Sequence, residues 1–159
     1  MKRLLIASAA VIAALALPAG AAAERLPDSN HGGDPFTATL AGNGSGLSRV
    51  TINPGHSEVC WTVTVADLTA PVFAAHIHRG AAGVIGPVIV PFFNTGFATP
   101  STATSFAGCT ENVAADVIES IQDDPAGWYV NVHTSCAGQP ASCGPFFPGG
   151  AVRGQLSHP

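Results

Sequence analysis

Strong positive charge is almost absent from this chain. Beyond Lys2 and Arg3 the only strong cations are Arg25, Arg49, Arg79 and Arg153, set against ten acidic residues. So few cannot build a basic patch, which argues against binding to nucleic acid or to an anionic membrane surface. After the apolar run at residues 4–17 no second hydrophobic span follows, so no membrane crossing is expected once that run is removed. Familiar catalytic patterns are missing as well. Gly44-Ser45-Gly46 lacks the nucleophile-elbow sequence. Asp123-Asp124 stands just before Pro125, where a turn at a helix end accounts for it without paired carboxylates for glycoside chemistry. The glycine-punctuated stretch 79–86 has neither the lysine nor the hydroxyl of a P-loop and reads as a turn. The chain is not expected to be an enzyme.

The first residues indicate the compartment. Met1-Lys2-Arg3 is a short basic start, residues 4–17 are apolar, and Ala21-Ala22-Ala23 supplies a small-residue cleavage pattern. Residues 1–23 are read as a secretory signal peptide cut after Ala23, giving a secreted or extracytoplasmic protein. No cysteine lies near the cut, which argues against lipid attachment. The remaining chain has a formal balance of −6. Residues 24–35 are polar and turn-rich and are expected to form a flexible lead-in, with His31 simply solvated. Residues 36–157 suffice for one domain with one core.

Four cysteines remain after the leader: Cys60, Cys109, Cys136 and Cys143. An even number in an exported chain suggests two disulfides. Three pairings are open. Cys60–Cys109 with Cys136–Cys143 is favoured, the latter closing a short loop worth roughly 2–3 kcal/mol. The competing use of Cys136 is as a metal ligand beside His133.

Alternation of apolar and polar residues fills the domain. Residues 36–40, 47–52, 59–65, 72–78, 87–93, 101–108, 128–134 and 151–156 each read as a strand bounded by turn formers. Within Val59-Cys60-Trp61-Thr62-Val63-Thr64-Val65, the valines and Trp61 share one face and Cys60, Thr62 and Thr64 the other. Asn53-Pro54-Gly55-His56 is a turn that leaves His56 exposed. One helix interrupts the strands. Thr110 can cap it, Glu111 suits its first turn, and Val113, Val117, Ile118 and Ile121 recur at helical spacing. The expected fold is all-β: an antiparallel, Greek-key-like β-sandwich of about eight strands with one inserted helix.

Histidines supply the one concentrated chemical feature. In Ala75-His76-Ile77-His78-Arg79-Gly80 the two imidazoles project from one face of a strand, because residues i and i+2 do so. Trp128-Tyr129-Val130-Asn131-Val132-His133-Thr134 offers a third histidine by the same alternation. Three imidazoles on one ion would suit copper or zinc and leave a coordination position open. Bonds near 2 Å require ring nitrogens within about 4 Å of one another. Asn131, Thr134, Arg153 and Gln155 could orient the rings. The alternative is a polar network of the three histidines and Arg153 that pins strand register and satisfies loop backbone groups.

Three segments together carry a resemblance. Ala75-His76-Ile77-His78-Arg79-Gly80 with Gly83-Val84-Ile85-Gly86-Pro87-Val88 resembles one half of the CHRD (chordin) domain. Trp128 to Thr134, and Phe147-Pro148-Gly149-Gly150-Ala151-Val152-Arg153-Gly154-Gln155-Leu156, resemble the other half. The likeness covers roughly residues 36–157 and departs from the family at Ala151, where an acidic residue is usual, and in the longer loop 136–143. It implies a secreted β-domain acting as a binding or structural module. Its partner would be an unknown extracytoplasmic protein or envelope component. The His-x-His strand is also similar to the copper-binding strand of copper/zinc superoxide dismutases. No histidine lies between His78 and His133, so the bridging ligand and the zinc loop of those enzymes are missing. The second expectation is therefore a non-catalytic copper- or zinc-binding protein using His76, His78 and His133.

Overall fold

Each alternating segment does form a strand. The computed structural model describes residues 33–137 and 149–159. The chain runs β1 (Asp34–Gly42), β2 (Gly44–Asn53), β3 (Glu58–Ala66), β4 (Val72–Arg79), β5 (Val88–Asn94), β6 (Ser105–Thr110), α1 (Ala115–Asp123), β7 (Trp128–Thr134) and β8 (Val152–Gln155). The signal peptide at 1–23, the lead-in up to residue 32 with His31, and Cys143 lie outside the described residues. Two boundaries move. β1 begins at Asp34, inside the expected lead-in, because Asp34 pairs with Ile52 on β2. The strand expected at 101–108 forms at Ser105–Thr110, and Ser101 makes only an isolated bridge to Val72.

Antiparallel hydrogen bonding joins the eight strands into one sheet, in the order β5-β4-β7-β8-β1-β2-β3-β6. β1, β2 and β3 form a meander, β4 and β5 a hairpin, and β8 links the two groups by pairing with both β7 and β1. The terminal strands β5 and β6 then approach each other. Phe93 stacks on Phe106 at 4.4 Å, and Trp61 stacks on Phe92 at 4.8 Å. Thr110 on β6 donates its hydroxyl to the Pro91 carbonyl on β5. The fold is all-β with one inserted helix, and its two layers are opposite halves of one rolled, nearly closed sheet. Side-chain packing closes the seam where ladder hydrogen bonds stop, which protects the two edges from pairing elsewhere.

The inner face carries the alternating apolar set. Phe36 and Leu40 of β1, Val50 and Ile52 of β2, Val63 of β3, Ile77 of β4 and Val130 and Val132 of β7 are all buried. α1 contributes Ile118 and Ile121 to this core, while Val113 and Val117 pack at its rim. Trp128 fixes the helix to β7 by donating its indole N–H to the Ser120 carbonyl at 3.1 Å. The helix starts later than Thr110 suggests. Ala114 occupies the cap position without a side-chain bond, and Asp116 supplies the first-turn acid. Thr110 is instead the last residue of β6, where its hydroxyl serves the β5 seam and accepts the Trp61 indole N–H at 3.4 Å. A tertiary partner has outcompeted a local capping role.

Cys60 and Cys109 are direct cross-strand neighbours on β3 and β6 and form a disulfide, with Cα atoms 3.9 Å apart. Cys136 is also disulfide-bonded, so it offers no thiolate to a metal beside His133. Disulfides suit an oxidising, extracytoplasmic compartment. Removing the strap with Cys60→Ala/Cys109→Ala should lower unfolding free energy by about 2–4 kcal/mol in urea titrations. An unchanged midpoint would show that the seam does not depend on it.

Candidate metal centre

β4 and β7 lie side by side inside the sheet, second and third in the strand order, and their register decides what meets on the outer face. His76 pairs with Asn131, His78 with Tyr129, and Ala74 with His133. Ile77 and Val130 point inward. The outer face therefore presents His76, His78, Tyr129, Asn131 and His133 together. The three imidazoles form a trio, with ring centroids 5.6 Å (His76–His78), 5.1 Å (His76–His133) and 6.1 Å (His78–His133) apart. One nitrogen from each ring lies within 4.8 Å of the other two. A shared ion at about 2 Å from each nitrogen needs them within about 4 Å. The 4.8 Å bound stands above that limit, so the rings must turn towards one another to share an ion.

Each of the three rings has a buried nitrogen that is not spoken for. His76 Nδ1, His78 Nε2 and His133 Nε2 are buried and have no hydrogen-bond partner. His78 Nδ1 lies 2.9 Å from the Gly86 carbonyl oxygen. A carbonyl only accepts, so Nδ1 carries the proton and Nε2 keeps its lone pair. That is the arrangement by which a backbone carbonyl orients a metal-binding imidazole.

The loop between β4 and β5 roofs this face, and Gly86 is its hinge with the site. Its N–H donates to the Tyr129 hydroxyl at 3.1 Å while its carbonyl holds His78. A Cβ at Gly86 would sit 1.6 Å from the Arg79 carbonyl oxygen, so only glycine fits. Tyr129 stacks on His78 at 4.9 Å, and the Arg153 guanidinium lies 3.5 Å over the Tyr129 ring. Phe73, set out of register by a bulge in β4, packs its ring 6.0 Å from that of His133.

Two of the residues expected to orient the rings, Arg153 and Gln155, act on the roof instead. Arg153 donates to the carbonyls of Val84 (2.9 Å) and Ala81 (3.4 Å). Gln155 donates to the carbonyls of Gly80, Ala126 and Trp128. Asn131 donates to the Gly149 carbonyl, and its own side-chain oxygen is buried without a partner. Thr134 is buried at the end of β7. Part of the expected polar network does form, since His78 and Arg153 both bond carbonyls of the loop between β4 and β5, whereas His76 Nδ1 and His133 Nε2 have no partner. Gly86, Tyr129 and Phe73 are the neighbours that sequence reasoning missed. The Gly-Pro pair ending the loop marked a turn, and nothing local showed that the turn folds back onto His78. A second cluster, Glu58 with Cys60 and Cys109, has its sulfurs tied up in the disulfide. An open cleft of about 280 Å³, lined in part by Leu68, Pro71 and Thr102, contains none of the three histidines.

The family model for the CHRD domain matches residues 29–156. The chain belongs to the CHRD domain family. No curated protein and no solved structure matches it.

Burial, helped by the neighbouring His133 and His78, lowers His76 to a pKa of about 4. Burial and His78 lower His133 to about 4 as well. Unfolded histidine titrates near 6.5. Below that pH the unfolded chain takes up protons that the folded rings refuse until about pH 4, so acid favours unfolding. The metal-free protein should be fully stabilised above about pH 6.5 and lose stability between about 6.5 and about 4. Urea titrations across that window should show a shallower slope for His133→Gln than for wild type. Equal slopes would contradict a neutral, desolvated imidazole at this position.

Proposed function

We propose that this CHRD module works outside the cytoplasm, without catalysing a reaction, as a binding protein for one transition-metal ion. The ion is copper or zinc, held by His76, His78 and His133. One observation carries the reading: the three rings each bring a nitrogen to within 4.8 Å of the other two, and each ring holds a buried nitrogen with no hydrogen-bond partner. A structural network would pair such atoms, because an unpaired buried polar group costs about 1–3 kcal/mol. A metal ion pairs all three at once. The donor set is chemically apt, since neutral imidazoles suit copper and zinc. His76 and His133 are held neutral at pH 7 by the same burial that leaves them unpaired. The roof over the site is fixed by Arg153 and Gln155, which preserves the geometry between binding events.

Copper and zinc titrations of the purified chain, read by calorimetry and elemental analysis, test this directly. Wild type should take up one ion per chain and gain thermal stability through linkage. His78→Ala should weaken binding by roughly 100-fold or more, beyond the effect of losing an orienting neighbour. Arg153→Ala, which only loosens the roof, should cost about 10-fold. Equal and negligible uptake by wild type and His78→Ala would sink the metal reading.

A further inference from the structure

We infer that the ion bound by His76, His78 and His133 completes its coordination with a small monovalent anion taken from solution; this rests on the metal reading above. Charge is the deciding property. The outer face of β4, β7 and β8 around the trio carries Tyr129, Asn131, Arg153 and Gln155, and no acidic residue. Among the described residues no carboxylate groups with the three histidines, and no cysteine there is free. Three neutral rings leave a divalent ion with its whole charge.

A neighbouring fixed charge adds to it. Arg153 lies 3.5 Å over Tyr129, whose ring stacks on His78 at 4.9 Å. Uncompensated charge in a partly buried site is costly, and a counter-charge there is worth more than in water. Three protein ligands also leave zinc or copper(II) one donor short. Water fills that position without changing the charge, whereas an anion fills it and lowers the charge. His76 and His133 are half-buried, while His78 is buried beneath the loop that Gly86 anchors. The ligand class is thus a small anion such as azide, cyanide or hydroxide, coordinated end-on through one atom.

The test uses the full chain loaded with one equivalent of copper(II) and titrated with sodium azide. Optical and electron paramagnetic resonance spectra are recorded, and metal analysis after gel filtration follows. The expected result is a new azide-to-copper charge-transfer band with an altered resonance spectrum. Both should saturate at one azide per copper, with the copper still on the protein. Unchanged spectra with copper retained would overturn the anion ligand and leave the metal reading standing. Copper that leaves with the azide would also overturn it. A chain that takes up neither copper(II) nor zinc in parallel loadings would overturn both.

Discussion

The register between β4 and β7 is the constraint on which the site depends. Pairing Ala74 with His133 and His76 with Asn131 sets all three imidazoles on one face. Because side chains alternate along a strand, a one-residue slip would drive the histidines into the core and expose Ile77 and Val130. The register is held by that same core, where Ile77, Val130 and Val132 are fully buried. Hydrophobic packing on the inner face therefore specifies the chemistry on the outer one.

Closure of the sheet makes this possible in a chain of modest size. A flat sheet of eight strands would expose one face and two edges. Rolling it brings β5 against β6, where Phe93, Phe106, Trp61 and Phe92 seal the seam. β4 and β7 then stand in the interior of the strand order, with β5 covering the outer side of β4. Their outer face is roofed by the loop anchored at Gly86, so β7 is buried on both faces, with only His133 partly exposed. Polar groups shielded in this way must be paired or held for a ligand. Arg153 and Gln155 are paired, to loop carbonyls. One nitrogen of each histidine is left over, together with the side-chain oxygen of Asn131.

Much of the fold was legible because it is written in a period of two. The strands, the inward sets Val59, Trp61, Val63, Val65 and Trp128, Val130, Val132, and the Cys60–Cys109 pairing all follow from alternation and from the disulfide logic of exported chains. The histidine trio was legible for the same reason. Three features were not. The rolled sheet depends on contacts between β5 and β6 that no local pattern encodes. The helix begins at Ala115 because Thr110 has a better tertiary partner than a helix end. The partner that orients His78 is a backbone carbonyl on Gly86, and backbone groups leave no signature in residue identity. The side chains expected in that role, Arg153 and Gln155, instead hold the loop that carries Gly86.

Membership of the CHRD family does not say what such a module holds. Three unpaired imidazole nitrogens point to a metal ion, and the most direct measurement is the metal content of the protein isolated from its native compartment. Close to one copper or zinc per chain is expected, lost when His78 is replaced by alanine. A wild-type protein isolated under metal-replete conditions with neither metal, and with no greater content than the His78→Ala variant, would contradict the metal-binding role.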